Sequence, residues 1–374
     1  MTQVMGYCDR WSIAPGETVR FMVSCLDGNQ YQTQIIRLKQ PDAGPLATRF
    51  APEPVDAPCN GTHPGRYQSI PAGSLAVVAA HPALAPSGSF TLATYVYPTT
   101  PNKGRQALMG TWCESTQTGF GLEIDADGTL LFRVGDGQGQ TARVSTRTKL
   151  NARRWYFVAA SFDAATGTLA LGQEPVTGNG FHDERLVVTT ATTSLRPALG
   201  GPLTFAAWNN GPANGPSCWG GLGFTCHFNG RVDSPRLAAG ALDRPGIDAL
   251  AATPLACSSL IGAWDFGRDI PSEAIRDLGP NRLDGVIANQ PTRGVPGWNW
   301  DGSETKWVHA TAQYGAIHFH DDDLIDACWE SDFSFTIPNT LRSGIYAAHL
   351  VAESFDFWVP FFVRPPRGTA HSTT

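Results

Sequence analysis

Three stretches of this 374-residue chain carry side chains that could do chemistry. In Glu123-Ile124-Asp125-Ala126-Asp127, Glu123 and Asp125 stand two residues apart, so a strand would place them on one side. Glycoside hydrolysis needs such a pair, one carboxyl as nucleophile and one as acid/base. Alternation, however, turns Phe120, Leu122 and Ile124 inward and leaves Glu123 and Asp125 on a solvated face, with Asp127-Gly128 as a hairpin turn. Ser217-Cys218-Trp219, with His349 downstream, has the residue types of a thiol nucleophile and its base. A reactive thiolate wants a helix N-terminus or an adjacent His, and this one follows Pro216 in a Gly-rich loop, so the segment is read as loop.

The third stretch is His318-Phe319-His320-Asp321-Asp322-Asp323. Alternation puts His318 and His320 on one strand face, and Asp321, Asp322 and Asp323 could offer oxygen ligands to a hard cation. These five residues are the metal candidates. Against them stands an acidic loop whose Asp side chains bond to their own backbone, or a contact to another domain. No catalytic or cofactor-binding residue is assigned. Gly135-Asp136-Gly137-Gln138-Gly139 reads as a turn, because no strand-to-helix step follows it as a phosphate loop requires. Trp298, Trp300 and Trp307 could stack on sugar rings if exposed; a seam between domains is the expected place for them.

The elements that must hold these residues are strands. Gly and Pro number 40 and 28, a load of turn formers that favours many short strands. Val19, Phe21, Val23 and Cys25 alternate, and Tyr31–Leu38 follows across the Asp27-Gly28-Asn29 turn. Phe120, Leu122 and Ile124 face Leu130, Phe132 and Val134 across a hairpin. One short helix is expected at Pro245–Ala252, with Asp243 as its cap. Near the end, Phe355, Phe357, Val359, Phe361 and Val363 share one face while Trp358 and Phe362 take the other, so something should cover that second face. Pro360 marks an edge or a bulge. Neither the first strands nor the last suffice for a sandwich, so the two sets are expected to pair as one domain interrupted by an insertion.

The expected fold is all-β: an immunoglobulin-like β-sandwich interrupted by an inserted jelly roll. Residues 1–75 give the first part of the sandwich plus a connector, and 76–255 the jelly roll. Residues 256–310 form a linking segment between domains, 311–367 the remainder of the sandwich, and 368–374 a tail. A net charge of -6 with scattered basic residues gives no footprint for nucleic acid, and no apolar run is long enough to span a bilayer. Without a leader-like N-terminus the chain is expected in the cytoplasm, with its eight cysteines reduced and the Asn60-Gly61-Thr62 sequon unused.

Residues 88–251 resemble the laminin-G-like, concanavalin-A-like fold, in FTLATYVYP, GFGLEIDADGTLLFRV, the Trp155–Gly167 stretch and FNGRVDSPRLAAGALDRPGIDAL. The whole chain resembles the N-terminal half of the N,N-dimethylformamidase large (beta) subunit, in GYCDRWSIAPGETVRFMVS, RYQSIPAGS, residues 260–302 and residues 318–350. That resemblance implies hydrolysis of a formamide to amine and formate in the complete enzyme, on an iron ion held by two Tyr and a Glu. The family pattern continues past FFVRPPRGTAHSTT into an α/β domain that carries those ligands, so no residue here inherits their role and this chain holds no cofactor. The implied partners are that catalytic domain and a small helical subunit, in a homo-oligomer of heterodimers. The alternative is a stand-alone laminin-G-like module that binds carbohydrate or protein, with a glycosidase behind it.

Overall fold

The computed structural model describes residues 4–26, 30–39, 51–176, 186–213, 221–353, 355–366 and 368–369. Strands dominate it. The α-helix among the described residues, Arg244–Ala252, begins where local chemistry starts it: Asp243 Oδ1 accepts the Gly246 amide at 3.0 Å, and Pro245 occupies the first turn. No helix among the described residues is long and apolar enough to cross a membrane. The chain divides into two compact units, one built from residues up to Ile70 and from Ala327 onward, the other from described residues between Pro71 and Asp326.

The smaller unit is an immunoglobulin-like sandwich drawn from both ends of the chain. In one sheet Thr18–Cys25 runs between Val4–Cys8 and Ser331–Thr336, with Phe21 opposite Phe333 and Val19 opposite Phe335. In the other, Gly344–Ala352 lies between Gln30–Lys39 and Phe355–Val363, with Ala348 opposite Ile35. The inner faces share one core that includes Val19, Phe21, Val23, Cys25, Ile35, Phe335, Leu350 and Phe361. Phe21 stacks on Phe333 at 4.8 Å and meets Phe361 edge-on at 5.7 Å. Each such ring is worth about 1.5–3 kcal/mol of burial, and neither chain end has enough of them alone. Phe355–Val363 is an edge along most of its length, since Ser12–Ile13 pairs only with Phe362 and Val363. Pro360, which has no N–H to give, sits on that open stretch. The second face of this strand stays open among the described residues: Trp358 and Phe362 are 38% and 43% exposed.

The larger unit is a concanavalin-A-like jelly roll. One layer has Phe90–Pro98 between Tyr156–Asp163 and Gly230–Ala239, extended by Thr168–Pro175 and Val187–Thr192. The facing layer runs from Thr141–Lys149 through Thr129–Asp136, Thr118–Ile124, Gln106–Gly110, Leu203–Phe205 and Leu75–Val78 to Gly285–Ala288. Phe90, Phe120, Phe132 and Phe162 are wholly buried in the core of this unit. The Asp127-Gly128 hairpin holds the expected register, Leu122 opposite Phe132 and Ile124 opposite Leu130. Gly128 has φ +86, a left-handed conformation that glycine takes without strain.

Two expectations need correcting. Residues 256–310 do not form a linking segment: Leu260–Asp265, Ala274–Asp277, Gly285–Ala288 and Thr292–Val295 are strands of the larger unit, and Ala316–Phe319 pairs with Gly230–Ala239 in the same unit. These strands span four to six residues between turns, too few for alternation to stand out. Nor are all eight cysteines reduced thiols. Cys8, Cys25, Cys59, Cys113, Cys226 and Cys257 are free, but Cys328 is disulfide-bonded. The nearest other cysteine in sequence is Cys257, so local spacing gave no sign of a bridge.

Candidate functional site

Glu123 is the carboxylate the sequence singles out, and the structure corrects its surroundings. Alternation does turn Phe120, Leu122 and Ile124 into the core, but Glu123 is 0% exposed. The Trp208–Pro212 and Leu222–Thr225 strands pair as a hairpin, and the Trp208 ring lies so close to Gly121 that a Cβ there would stand 2.9 Å from it. Trp208 Nε1 donates to Glu123 Oε2 at 2.7 Å. Arg105 adds bonds to Oε1 at 3.2 Å and to Oε2 at 3.0 Å, and Arg133 Nη2 donates to Oε1. Arg105 also grips Glu114 through two bonds of 2.8 and 3.0 Å, and Trp112 Nε1 reaches Glu114 at 2.8 Å. The Arg105 guanidinium therefore holds the Glu114 carboxyl below its usual range.

This arrangement ties strands together and leaves no free lone pair for proton transfer. Both Glu123 oxygens are engaged, and a nucleophile or acid needs one that is not. Asp125 is half-exposed and turns its Oδ1 to the next amide, Ala126 N, at 2.8 Å, so the two carboxyls are not a working pair. A signal for the burial was present: Arg133 pairs with Gly121, two residues from Glu123 on the same face.

The His-Asp stretch is drawn together in part. His318 and His320 stack with ring centroids 4.2 Å apart. His320 Nδ1 meets Asp323 Oδ2 at 3.1 Å, and the same oxygen accepts Ser74 Oγ at 2.7 Å. Asp321 is tied to Lys103, and Asp322 is exposed. Burial, then the charges of His320 and Arg231, pushes His318 down to about 4. Among the described residues no group of three or more His, Cys, Asp or Glu could hold a metal ion.

Sequence reasoning missed Asp233. It is 3% exposed, and its carboxyl accepts from Ser234 Oγ at 2.9 Å and from the Trp298 amide at 3.2 Å. Burial pushes it up to about 6, against the pull of those bonds. Trp298 stacks flat on Tyr95 at 4.1 Å within the larger unit, whereas Trp300 is 42% exposed. Ser217-Cys218-Trp219 lies outside the described residues. His349 stacks on Trp358 at 4.1 Å and bonds Asp356 at 3.1 Å.

Residues 72–247 match the concanavalin A-like lectin/glucanases superfamily, and residues 292–374 match the C-terminal model of N,N-dimethylformamidase beta subunit-like proteins. The beta subunit of N,N-dimethylformamidase from Paracoccus aminophilus is 36% identical over 381 residues, taking in 98% of this chain and 50% of that protein. This chain is similar to the dimethylformamidase beta subunit. The Alcaligenes sp counterpart is 34% identical over 383 residues, with the same shares. The chain thus spans about half the length of the dimethylformamidase subunits it matches. Among solved structures, a heptameric SAP-like pentraxin from Limulus polyphemus covers 59% of this chain and 82% of its own at 11% identity, with a TM-score of 0.31.

Tyr156, Tyr314, Tyr346, Glu114 and Glu123 are engaged in other bonds and offer no open ligand for the iron centre of two Tyr and a Glu that the dimethylformamidase resemblance implies for the complete enzyme. Tyr314 and Tyr346 donate their hydroxyls to the Glu304 and Arg342 carbonyls at 2.8 and 2.6 Å, and Tyr156 accepts the Asn151 amide at 3.0 Å. Glu123 and Glu114 are already held by guanidinium and indole groups.

Proposed function

We propose that this chain is a non-catalytic N-terminal scaffold region of an N,N-dimethylformamidase-like amidohydrolase. The observation that carries the reading is the similarity to dimethylformamidase beta subunits along 98% of the chain, which takes in only half of those proteins. The saturation of its most promising carboxylate supports it: Glu123 takes four donors and keeps none of its oxygens free. In this reading the sandwich and jelly roll carry a catalytic domain that holds iron, with a small helical subunit beside it, in a cytoplasmic oligomer of heterodimers. The complete assembly hydrolyses a formamide to an amine and formate.

The test is formate release from N,N-dimethylformamide. The purified chain, supplied with iron, is expected to release none. Co-expressed with the second half of the Paracoccus aminophilus beta subunit and that enzyme's partner subunit, it should co-purify with them and support turnover. Iron-dependent turnover by this chain alone, or failure to join that complex, sinks the proposal.

A further inference from the structure

The His318–Asp323 stretch is not used by the scaffold reading, and its geometry selects a different ion from the one its acidic composition suggests. A hard cation needs free oxygens. Here Asp321 is bound to Lys103, and Asp323 Oδ2 is bound by both His320 and Ser74. Asp322 is exposed and keeps its carboxylate out of these bonds, so the part of the stretch that the fold holds in place is nitrogen. His318 and His320 leave the strand on one side with their rings 4.2 Å apart. Ser74 is wholly buried and fixes Asp323, and Ser74 Oγ also takes the His320 amide at 3.0 Å, so the whole turn is held in place. A carboxylate can only accept, so the bond to Asp323 puts the His320 proton on Nδ1 and leaves a lone pair on Nε2. Metal-ligating histidines are usually oriented by such a carboxylate. His318 Nε2, for its part, is buried and has no hydrogen-bond partner, a state that costs free energy unless something fills it. The His320 side chain is 32% exposed, which leaves a way in.

We propose that His318 and His320 form a two-imidazole chelate for a borderline divalent transition-metal ion, with Asp323 as the positioning residue and water completing the coordination. Imidazole donors suit Cu²⁺, Ni²⁺ and Zn²⁺, in the affinity order Cu²⁺ above Ni²⁺, and Cu²⁺ above Zn²⁺; Ca²⁺ and Mg²⁺, which take about six or more oxygens, are disfavoured with Asp321 and Asp323 engaged and Asp322 left as the open carboxylate of the stretch. Arg231, opposite His318 on the neighbouring strand, weakens the site without occupying a donor.

Calorimetric titration of the full chain with CuCl2, ZnCl2 and CaCl2 tests this. One Cu²⁺ per chain is expected, bound more tightly than Zn²⁺, with no heat from Ca²⁺. Electron spin resonance of the Cu²⁺ form should show coupling to two nitrogens. His318→Asn and His320→Asn should each remove the binding, His349→Asn should leave it intact, and Asp323→Asn should weaken it by about 10- to 100-fold. Thermal melting of each variant separates lost ligands from lost folding. The proposal is overturned if no Cu²⁺ binds, if Ca²⁺ binds in its place, or if a folded His318→Asn/His320→Asn double variant binds Cu²⁺ as the parent does.

Discussion

Glu123 and Asp233 are both buried carboxyls of the larger unit, 0% and 3% exposed, and they reach that state by opposite means. Glu123 is surrounded by charge: two guanidiniums and an indole N–H saturate its oxygens. Asp233 is surrounded by dipoles, a hydroxyl and a backbone amide, while Arg236 turns its own Nη1 to the Ser234 carbonyl. Burial raises the Asp233 pKa to about 6. Dipoles solvate a buried carboxylate less completely than a direct cation does. The first site is therefore fragile to deletion of a partner, and the second to pH.

The largest effect that follows is at Glu123. Glu123→Ala leaves Arg133 without its carboxylate, with its Nε already buried and unpaired and its guanidinium resting on Trp112 at 5.2 Å. Arg105 keeps Glu114. Removing one partner of a buried ion pair costs about 3–5 kcal/mol, and urea denaturation at pH 7 should show a loss of that order. A loss below about 1 kcal/mol would mean that the network is solvated and would erase the contrast with Asp233.

Next in size is a pH slope. The native Asp233 carboxyl is raised from 3.8 to about 6, so the native state holds its proton where the unfolded chain has lost it. Its contribution is fully present below pH 3.8 and is lost as pH rises through about 6, amounting to roughly 3 kcal/mol for a shift of about two units. Asp233→Asn removes that dependence. Denaturation at pH 4, 5, 6 and 7 should find the variant gaining on the parent across the window, and parallel curves would show Asp233 to be normal.

The same two residues show what the sequence made legible. Period-2 alternation located the jelly-roll strands, the Asp127-Gly128 hairpin and the split sandwich, because those are decided within a few residues or by apolar faces that must meet. It placed Glu123 on the correct side of its strand. What it could not see was the cover: Trp208 arrives from 85 residues away, and Trp298 reaches Asp233 from 65 residues away. Whether an outward carboxylate meets water or a guanidinium is a tertiary fact. The short strands between Leu260 and Val295 escaped for a simpler reason, since four residues show barely two periods. In the His318–Asp323 stretch the composition pointed to oxygen ligands, and only the Lys103 and Ser74 bonds reveal that those of Asp321 and Asp323 are taken.

The smallest effect expected is at Asp125, and it sharpens the comparison most cheaply. Asp125 is the other member of the pair that alternation sets beside Glu123, but it is half-exposed and its Oδ1 turns to the Ala126 amide. Asn keeps an acceptor there, so Asp125→Asn should move stability by no more than about 0.5 kcal/mol. Thermal melts of Asp125→Asn and Glu123→Gln side by side then separate sequence position from environment. Gln at 123 removes the charge beneath two guanidiniums, whereas Asn at 125 removes one that water already screens. If the two variants melted alike, the covering hairpin would not be shielding Glu123, and burial could not be what distinguishes these neighbours.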